Sequence, residues 1–388
     1  MKYTTFLKDV LICSLGAYGG PEAHYGVFTD QMVVKKKYLT EHEMVELIAL
    51  TGILPGPSST QTIIAIGYKM GGPLLAFLTL LVWALPAIVL MTLFSFLYAF
   101  LSRNNIDQDI LRFIGPMAVG FIATAAYKLG RKVIKNPLTL ILFISAMLIT
   151  YFFRQAFIYP VVLISGGLIY ALFSKEKDLW HKISVKPPWI YFIVFASLAV
   201  TLLILNMIFD IRLLFLFERF YRFGYLVIGG GQVVIPYMVT ELVDLHNHMT
   251  LSEFLTGFGL VQGIPGPMFS FSAYAGGMAS RDLSTLGQIA GALISGIGIF
   301  LPGTLLIFFV YPMWEQLKSM KGIRVALMGI VSVAGGLIAI AAIKLFEESG
   351  VSLENTLVVI VTIILLLTKK IPAPVLVLLT LILGFVLA

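Results

Sequence analysis

Two short segments carry the residues best suited to hold an oxyanion within apolar sequence. The first is Pro57-Ser58-Ser59-Thr60-Gln61, preceded by Gly56; the second is Gly266-Pro267, with Ser270 and Ser272 just beyond. Proline at the first position of a helix lacks only a hydrogen that would have no partner there, so Pro57 and Pro267 are expected to start half-helices. Such a start aims bare backbone N–H groups and the positive end of a helix dipole at one point, which suits an anion. Ser58, Ser59, Thr60 and Gln61 add hydroxyl and amide donors on one side, Ser270 and Ser272 on the other. The competing reading is a Pro-Gly-Pro kink that only packs.

Ionisable residues in apolar surroundings are the next candidates, because placing them at membrane depth is costly unless they work. Glu22 and His24 follow the Gly19-Gly20-Pro21 break and could accept protons in response to an anion; the alternative places them at the interface, never titrating. Glu46 is a lesser candidate for the same role. Gln232, offset by 210 from Glu22, cannot ionise and joins the substrate-binding set, which would confine proton coupling to the first half. Lys128 and Lys344 stand at matching ends of apolar helices and could neutralise a dianion, although such lysines more often reach out to headgroups. Thr40 with Glu43, and Thr250 with Glu253, fit a Thr-x-x-Glu capping box and read as structure. His246-Asn247-His248 lacks the further ligands of a metal site and reads as a polar external loop.

These candidates sit in a chain that repeats itself. Adding 210 superimposes Gly19-Gly20 on Gly229-Gly230, Thr40 on Thr250, Glu43 on Glu253 and Pro57 on Pro267; an offset of 216 then pairs Pro86 with Pro302, Gly120 with Gly336 and Lys128 with Lys344. Such a duplication, interrupted at matching places by Pro and Gly, marks a transporter's binding site. With 59% hydrophobic and 12% charged residues among 388, too few polar side chains exist to cover a water-soluble surface. The expected fold is all-α, polytopic and membrane-embedded, with two inverted-topology repeats and broken or re-entrant helices.

Nine apolar runs are expected to span: 73–101, 111–128, 138–153, 157–173, 189–209, 286–313, 323–344, 351–368 and 372–387. The segments 43–54 and 58–70, at about 18 Å of helix each, are too short to cross and are expected to enter and return as a hairpin. Basic loops at 128–136 and 174–188 share a face, placed in the cytoplasm together with the N-terminus. The segment 189–209 then supplies the odd crossing that inverts the second copy. The domain division is residues 1–173, a linker with its connecting helix at 174–211, and the inverted repeat 212–388. The net charge of +7 follows from these loops and calls for no nucleic acid. A single Cys13 excludes a disulfide framework or a cysteine metal site.

Gly19-Gly20-Pro21-Glu22-Ala23-His24 followed by Leu54-Pro55-Gly56-Pro57-Ser58-Ser59-Thr60-Gln61 resembles the signature of the chromate ion transporter family, long-chain two-domain type. Gly229-Gly230-Gly231-Gln232 and Gln262-Gly263-Ile264-Pro265-Gly266-Pro267 resemble its degenerate second copy. The second copy carries Met268-Phe269 where the first has Ser58-Ser59, so the halves would not offer equivalent ligands. The resemblance implies export of chromate, a tetrahedral dianion shaped like sulfate, across the cytoplasmic membrane, giving chromate resistance. Drive would come from the membrane potential, with proton antiport as a further source. A sulfate or related oxyanion permease is the alternative within transport. An intramembrane enzyme acting on a lipid phosphate is a different class, but the chain has no His-Glu-x-x-His, Gly-x-Ser-x-Gly or catalytic cysteine. No enzymatic activity and no cofactor are expected; the partners are the oxyanion and the bilayer, and a homodimer is compatible with this reading.

Overall fold

A computed structural model describes residues 2–104, 109–153, 155, 157–174, 186–228, 234–318 and 320–387. Every regular element among them is helical. The first half runs α1 Tyr3–Gly16, α2 Pro21–Phe28 continuing into a π-helical turn Thr29–Lys35, α3 Glu41–Ile53, α4 Ser58–Arg103, α5 Ile114–Val133, α6 Pro137–Phe152 and α7 Ile158–Phe173. After α8 Trp189–Ile208 the second half follows as α9 Arg212–Leu226, α10 Ile235–Val239 with a π-helical turn Thr240–Leu245, and α11 Leu251–Val261. A 3-10 turn Met268–Ser270 then leads into α12 Phe271–Ala279, followed by α13 Thr285–Val310, α14 Trp314–Leu317, α15 Lys321–Glu348, α16 Leu353–Thr368 and α17 Ala373–Leu387.

The same local chemistry shapes matching elements. Thr40 and Thr250 each cap a helix with a complete box: the hydroxyl accepts from the N–H of Glu43 or Glu253, and that glutamate accepts from the threonine N–H. Lys37 and Asn247, offset by 210, both end their π turns at positive φ, 52° and 50°. Adding 216 to the bounds of α6 gives those of α16. One difference is the long α4, where Gly71 and Gly72 leave helical geometry; Gly72 has φ 72°, a conformation that disfavours any side chain bearing a Cβ. The break sets 58–70 apart as the second arm of a hairpin with α3, which the Thr51–Thr62 hydroxyl contact of 2.8 Å fastens near its turn.

Helices occupy all nine of the runs expected to span, but only five reach spanning length with apolar composition: those covering 58–103, 109–133, 189–208, 285–317 and 321–348. The other four, α6, α7, α16 and α17, have 15 or 16 residues and rise about 24 Å, short of a hydrocarbon core of about 30 Å. Asn136 with Pro137 sets the start of α6, and a left-handed Lys369 followed by Pro372 separates α16 from α17. α6 packs on α7, whereas α17 follows α16 after residues 369–372 and packs on α5 and on the turn Asp109–Leu111. The chain is a multi-pass membrane protein.

The halves interlock. α15 packs against α5, α6 and α7, while α5 packs against α15, α16 and α17. A side chain at Gly336 would strike the Phe143 carbonyl; one at Gly120 would strike Thr362 and the Val359 carbonyl. Both pairs differ by 216, so the close approaches are reciprocal, as a two-fold relation between the copies demands. Between apolar helices in lipid, small residues that let backbones approach are the main source of adhesion. Trp83, Phe6, Phe28, Phe220, Phe254 and Phe300 fill the interior. In contrast, α8 buries only Leu202; Tyr191 and Phe195 lean on Phe308 and Tyr221, and Ile193, Leu203 and Ile208 are among the apolar residues it turns outward, towards lipid.

Candidate oxyanion site at the converging helix breaks

The two Pro-Gly-Pro turns are driven into the opposite halves. Gly56 donates its N–H to the Val227 carbonyl at 2.7 Å, and Gly266 donates to the Ala17 carbonyl at 2.8 Å. Gly56 and Gly266 differ by 210, as do Ala17 and Val227, so this is again a reciprocal exchange. Positive φ values of 133° and 104° allow the turns to be this tight. A methyl group on Gly56 would lie 3.1 Å from Gly303 Cα, and one on Gly266 would lie 2.9 Å from Ala87 Cβ, a third reciprocal pair at offset 216. Each turn therefore leans on the other half's long helix just past its proline, Pro86 or Pro302, and on the other half's break after α1 or α9.

Helical geometry begins one residue later than the sequence implied. Pro57 and Pro267 have ψ 96° and 128°, extended values, so both are N-cap residues and the first helical positions are Ser58 and Met268. The first bond within α4 runs from the Gln61 N–H to the Pro57 carbonyl, 2.9 Å, leaving the N–H groups of Ser58, Ser59 and Thr60 without a partner inside the helix. In the second copy Ser270 N–H bonds Pro267 at 2.9 Å in a tighter 3-10 turn, which leaves only Met268 and Phe269. The first copy thus offers the denser array of donors.

Side chains around α4's start are locked by buried contacts. Ser59 Oγ lies 2.9 Å from His24 Nδ1, and Trp83 Nε1 donates to Thr60 Oγ1 at 3.1 Å. Trp83 also meets the His24 ring edge-on, centroids 5.4 Å apart. Gln61 Nε2 donates to the carbonyls of Pro55, 2.8 Å, and Gly303, 3.2 Å, tying the turn to α13. Pro86 lacks the N–H that would serve a carbonyl one turn earlier. In that region the Trp83 carbonyl accepts from Ser14 Oγ at 2.8 Å; in the second copy Gly224 presses directly on the Ile299 carbonyl.

Three fully buried polar atoms at this junction have no hydrogen-bond partner among the described residues: His24 Nε2, Gln61 Oε1 and Ser270 Oγ. Burying such groups without a hydrogen bond costs about 1–3 kcal/mol each, and unmet demand of this kind marks a place where a ligand or water belongs. His24 Nε2 can donate or accept according to its tautomer, and Ser270 Oγ can do both. Ser272, by contrast, spends its hydroxyl on the Phe269 carbonyl at 2.7 Å. Ser58 is half-buried at the lip of the turn.

The remaining candidates do not join this junction. Glu22 is exposed in the first turn of α2, where a carboxylate complements the helix dipole, and the two-residue step to His24 puts the pair on different sides of the helix. Glu46 pairs with Lys318 at 2.7 Å, a lysine that also holds Glu315 at 2.7 Å. Lys128 is exposed. Lys344 donates to the Thr150 and Tyr151 carbonyls at 3.0 and 3.2 Å, compensating the negative end of α6. Gln232 and the glycines 229–231 lie outside the described residues. His246 stacks on His248, and no cluster able to hold a metal occurs among the described residues.

One buried arrangement was missed by sequence reasoning. Asp9 accepts from Gln31 Nε2 at 2.9 Å and Tyr38 OH at 2.6 Å, and lies 3.2 Å from Lys36. At offset 210 the same two positions hold Arg219 and Glu241, paired at 2.8 Å, with Arg222, Glu218 and His246 around them. Glu241 is 1% exposed, drawn inward by these cations. The repeat register plus the Glu218–Arg222 spacing of one helical turn was the available signal.

A sequence model described as Chromate transporter matches residues 4–172 and again 214–385. A transporter of Methanocaldococcus jannaschii, itself uncharacterised, is 28% identical over 99% of this chain and 93% of its own length. The chromate transport protein of Cupriavidus metallidurans is 25% identical over 93% of this chain and 87% of the relative. The probable chromate transport protein of Synechococcus elongatus is 24% identical over 96% and 93% respectively. No solved structure matches. Both matched segments contain the Pro-Gly-Pro turn and the reciprocal contacts described above, and the chain belongs to the chromate transporter family.

Proposed function

We propose that this protein exports chromate across the cytoplasmic membrane, binding the dianion at the junction of the four helix breaks. The observation that carries this reading is the gathering there of α4's bare N–H groups with two buried atoms that can donate and lack a partner among the described residues, His24 Nε2 and Ser270 Oγ. In this reading the amides of Ser58, Ser59 and Thr60 face the anion's oxygens, Ser270 closes the shell from the second copy, and Gly266 and Pro267 shape the wall. Residues 1–173 and 212–388 form two repeats of opposite orientation, joined by 174–211, with the N-terminus in the cytoplasm. Alternating access then amounts to rocking one repeat against the other around a fixed site.

Outward movement of a dianion from a negative interior gains roughly 4.6 kcal/mol per 100 mV, twice the value of about 2.3 for one charge. Export therefore needs no other source of energy, and cells carrying the protein gain chromate resistance. His24 supplies a route for proton antiport: its Nε2 takes up a proton at the outer face once the anion has left and gives it up at the inner face before the next anion is carried out, so that proton and anion cross in opposite directions. The test is chromate accumulation in everted vesicles under an imposed potential or pH gradient, with sulfate as competitor. Potential-driven accumulation is expected; absence of chromate flux under both gradients overturns the reading. Loss of the pH-gradient component in His24→Gln, with the potential-driven component kept, is the expected signature of the histidine's role.

A further inference from the structure

Along the face where α5 and α15 lie side by side, a groove offers about 590 Å³, within the range of about 300–1,000 Å³ usual for small-ligand clefts. Its floor is Ala123, Ala126, Ala339 and Ala342. These are two pairs of repeat mates at offset 216, so the groove follows the line on which the halves meet. Phe143 of α6 forms a wall. The opening faces outward among exposed apolar side chains: Tyr127 is 50% exposed and Ile343 46%. A recess of this shape at membrane depth is bathed in acyl chains.

Charge at its rim is one-sided. Arg131 is the single charged side chain lining the groove among the described residues, and its guanidinium lies over the Tyr127 ring at 5.9 Å. Lys128 and Lys132 are exposed on the same helical end. The repeat mates of Arg131 and Lys132 are Glu347 and Glu348, and Lys344, the mate of Lys128, is engaged with the Thr150 and Tyr151 carbonyls, so the α5 end is the more cationic of the two. A phosphodiester carrying one negative charge complements that end, and an acyl chain complements the alanine floor.

We propose that this groove is a binding site for one anionic phospholipid, its phosphate on Arg131 and one acyl chain between α5 and α15. The site is separate from the helix-break junction and does not depend on what is transported. Because its two sides come from different repeats, an occupant there bridges the halves.

The test is native mass spectrometry and thermal shift of the purified full chain with phosphatidylglycerol or phosphatidylcholine added. One phosphatidylglycerol should be retained, about fivefold to tenfold more strongly than phosphatidylcholine, and Arg131→Gln should erase that preference. Ala339→Leu, which fills the floor, should lower retention of both lipids. Arg131 is exposed, so its replacement leaves the packed interior intact and the result readable even if Ala339→Leu fails to fold. Equal phosphatidylglycerol retention in Arg131→Gln and the parent protein overturns the proposal. So does a thermal shift by inorganic phosphate equal to that by the lipid, which would identify a free anion, and so does a dimer that becomes monomeric in Ala339→Leu, which would identify a second copy as the occupant.

Discussion

Ser59 and Thr60 stand side by side yet serve through different partners, and their substitution should separate binding from folding. Thr60→Ala leaves the buried Trp83 Nε1 without its acceptor, a loss of about 1–3 kcal/mol; Thr60→Ser should restore most of the stability. Ser59→Ala removes a hydroxyl from the junction and frees His24 Nδ1. We expect it to raise the KM for chromate about tenfold, one charged hydrogen bond's worth, with unchanged membrane insertion; unchanged KM removes Ser59 from the site. Gly56→Ala and Gly266→Ala should each destabilise by about 1–3 kcal/mol, since both residues hold positive φ and touch the opposite half; thermal unfolding in detergent measures this. The donors of the Pro-Gly-Pro-Ser-Ser-Thr run were legible because they are contiguous. The partnership of His24 with Ser59, 35 residues apart, was not. Periodicity gives no information on which face of a short broken helix turns inward, and so Glu22 could not be told from His24 before their placement was known.

At the level of elements, the hairpins are closed at their open ends by ion pairs between each capping glutamate and a cation: Glu43 with Lys69, and Glu253 with Arg281 at 2.6 Å. Thr250→Ala should cost about 1 kcal/mol through loss of the cap, read as a lower melting temperature, with Thr250→Ser nearly neutral. The segment leading into α11 also carries a pH dependence. Burial first, and then the positive charge of Arg212 and the neighbouring His246, push His248 down from its ordinary 6.5 to about 4. The fold therefore prefers neutral imidazole, and the unfolded chain binds the proton more readily. Stability from this source is full above about pH 6.5 and is lost as pH falls towards 4. Melting temperature measured from pH 7 to 4 should fall less steeply in His248→Asn than in the parent protein; parallel curves would remove His248 from the account. Capping boxes and the Gly-Gly and Pro-Gly-Pro breaks were written locally and could be read. The bounds of α6, α7, α16 and α17 were read to within two residues; what was overread was that helices of 15 or 16 residues reach across the hydrocarbon core.

For the whole molecule, three sets of reciprocal contacts obey one exchange: Gly56–Val227 with Gly266–Ala17, Gly56–Gly303 with Gly266–Ala87, and Gly120–Val359 with Gly336–Phe143. Duplication was visible in the sequence as an offset; that the copies embrace was not, because reciprocity is a property of pairs. The proposed opposite orientation can be tested at Lys37 and Asn247, exposed repeat mates in loops. In a Cys13→Ser background, Lys37→Cys should react with a membrane-impermeant thiol reagent from the cytoplasmic face and Asn247→Cys from the outside; labelling from one common face would exclude inversion.

The connecting helix α8 packs on α9 and α13, both of the second half, and buries a single residue. None of the reciprocal bonds that hold the copies together passes through it. Severing the polypeptide between α7 and α8 would thus leave two products, each displaying the surface that the other fits, and we expect residues 1–174 and 186–388 made in one cell to co-purify. The single gene is, in that sense, a heterodimer whose subunits happen to be translated in tandem.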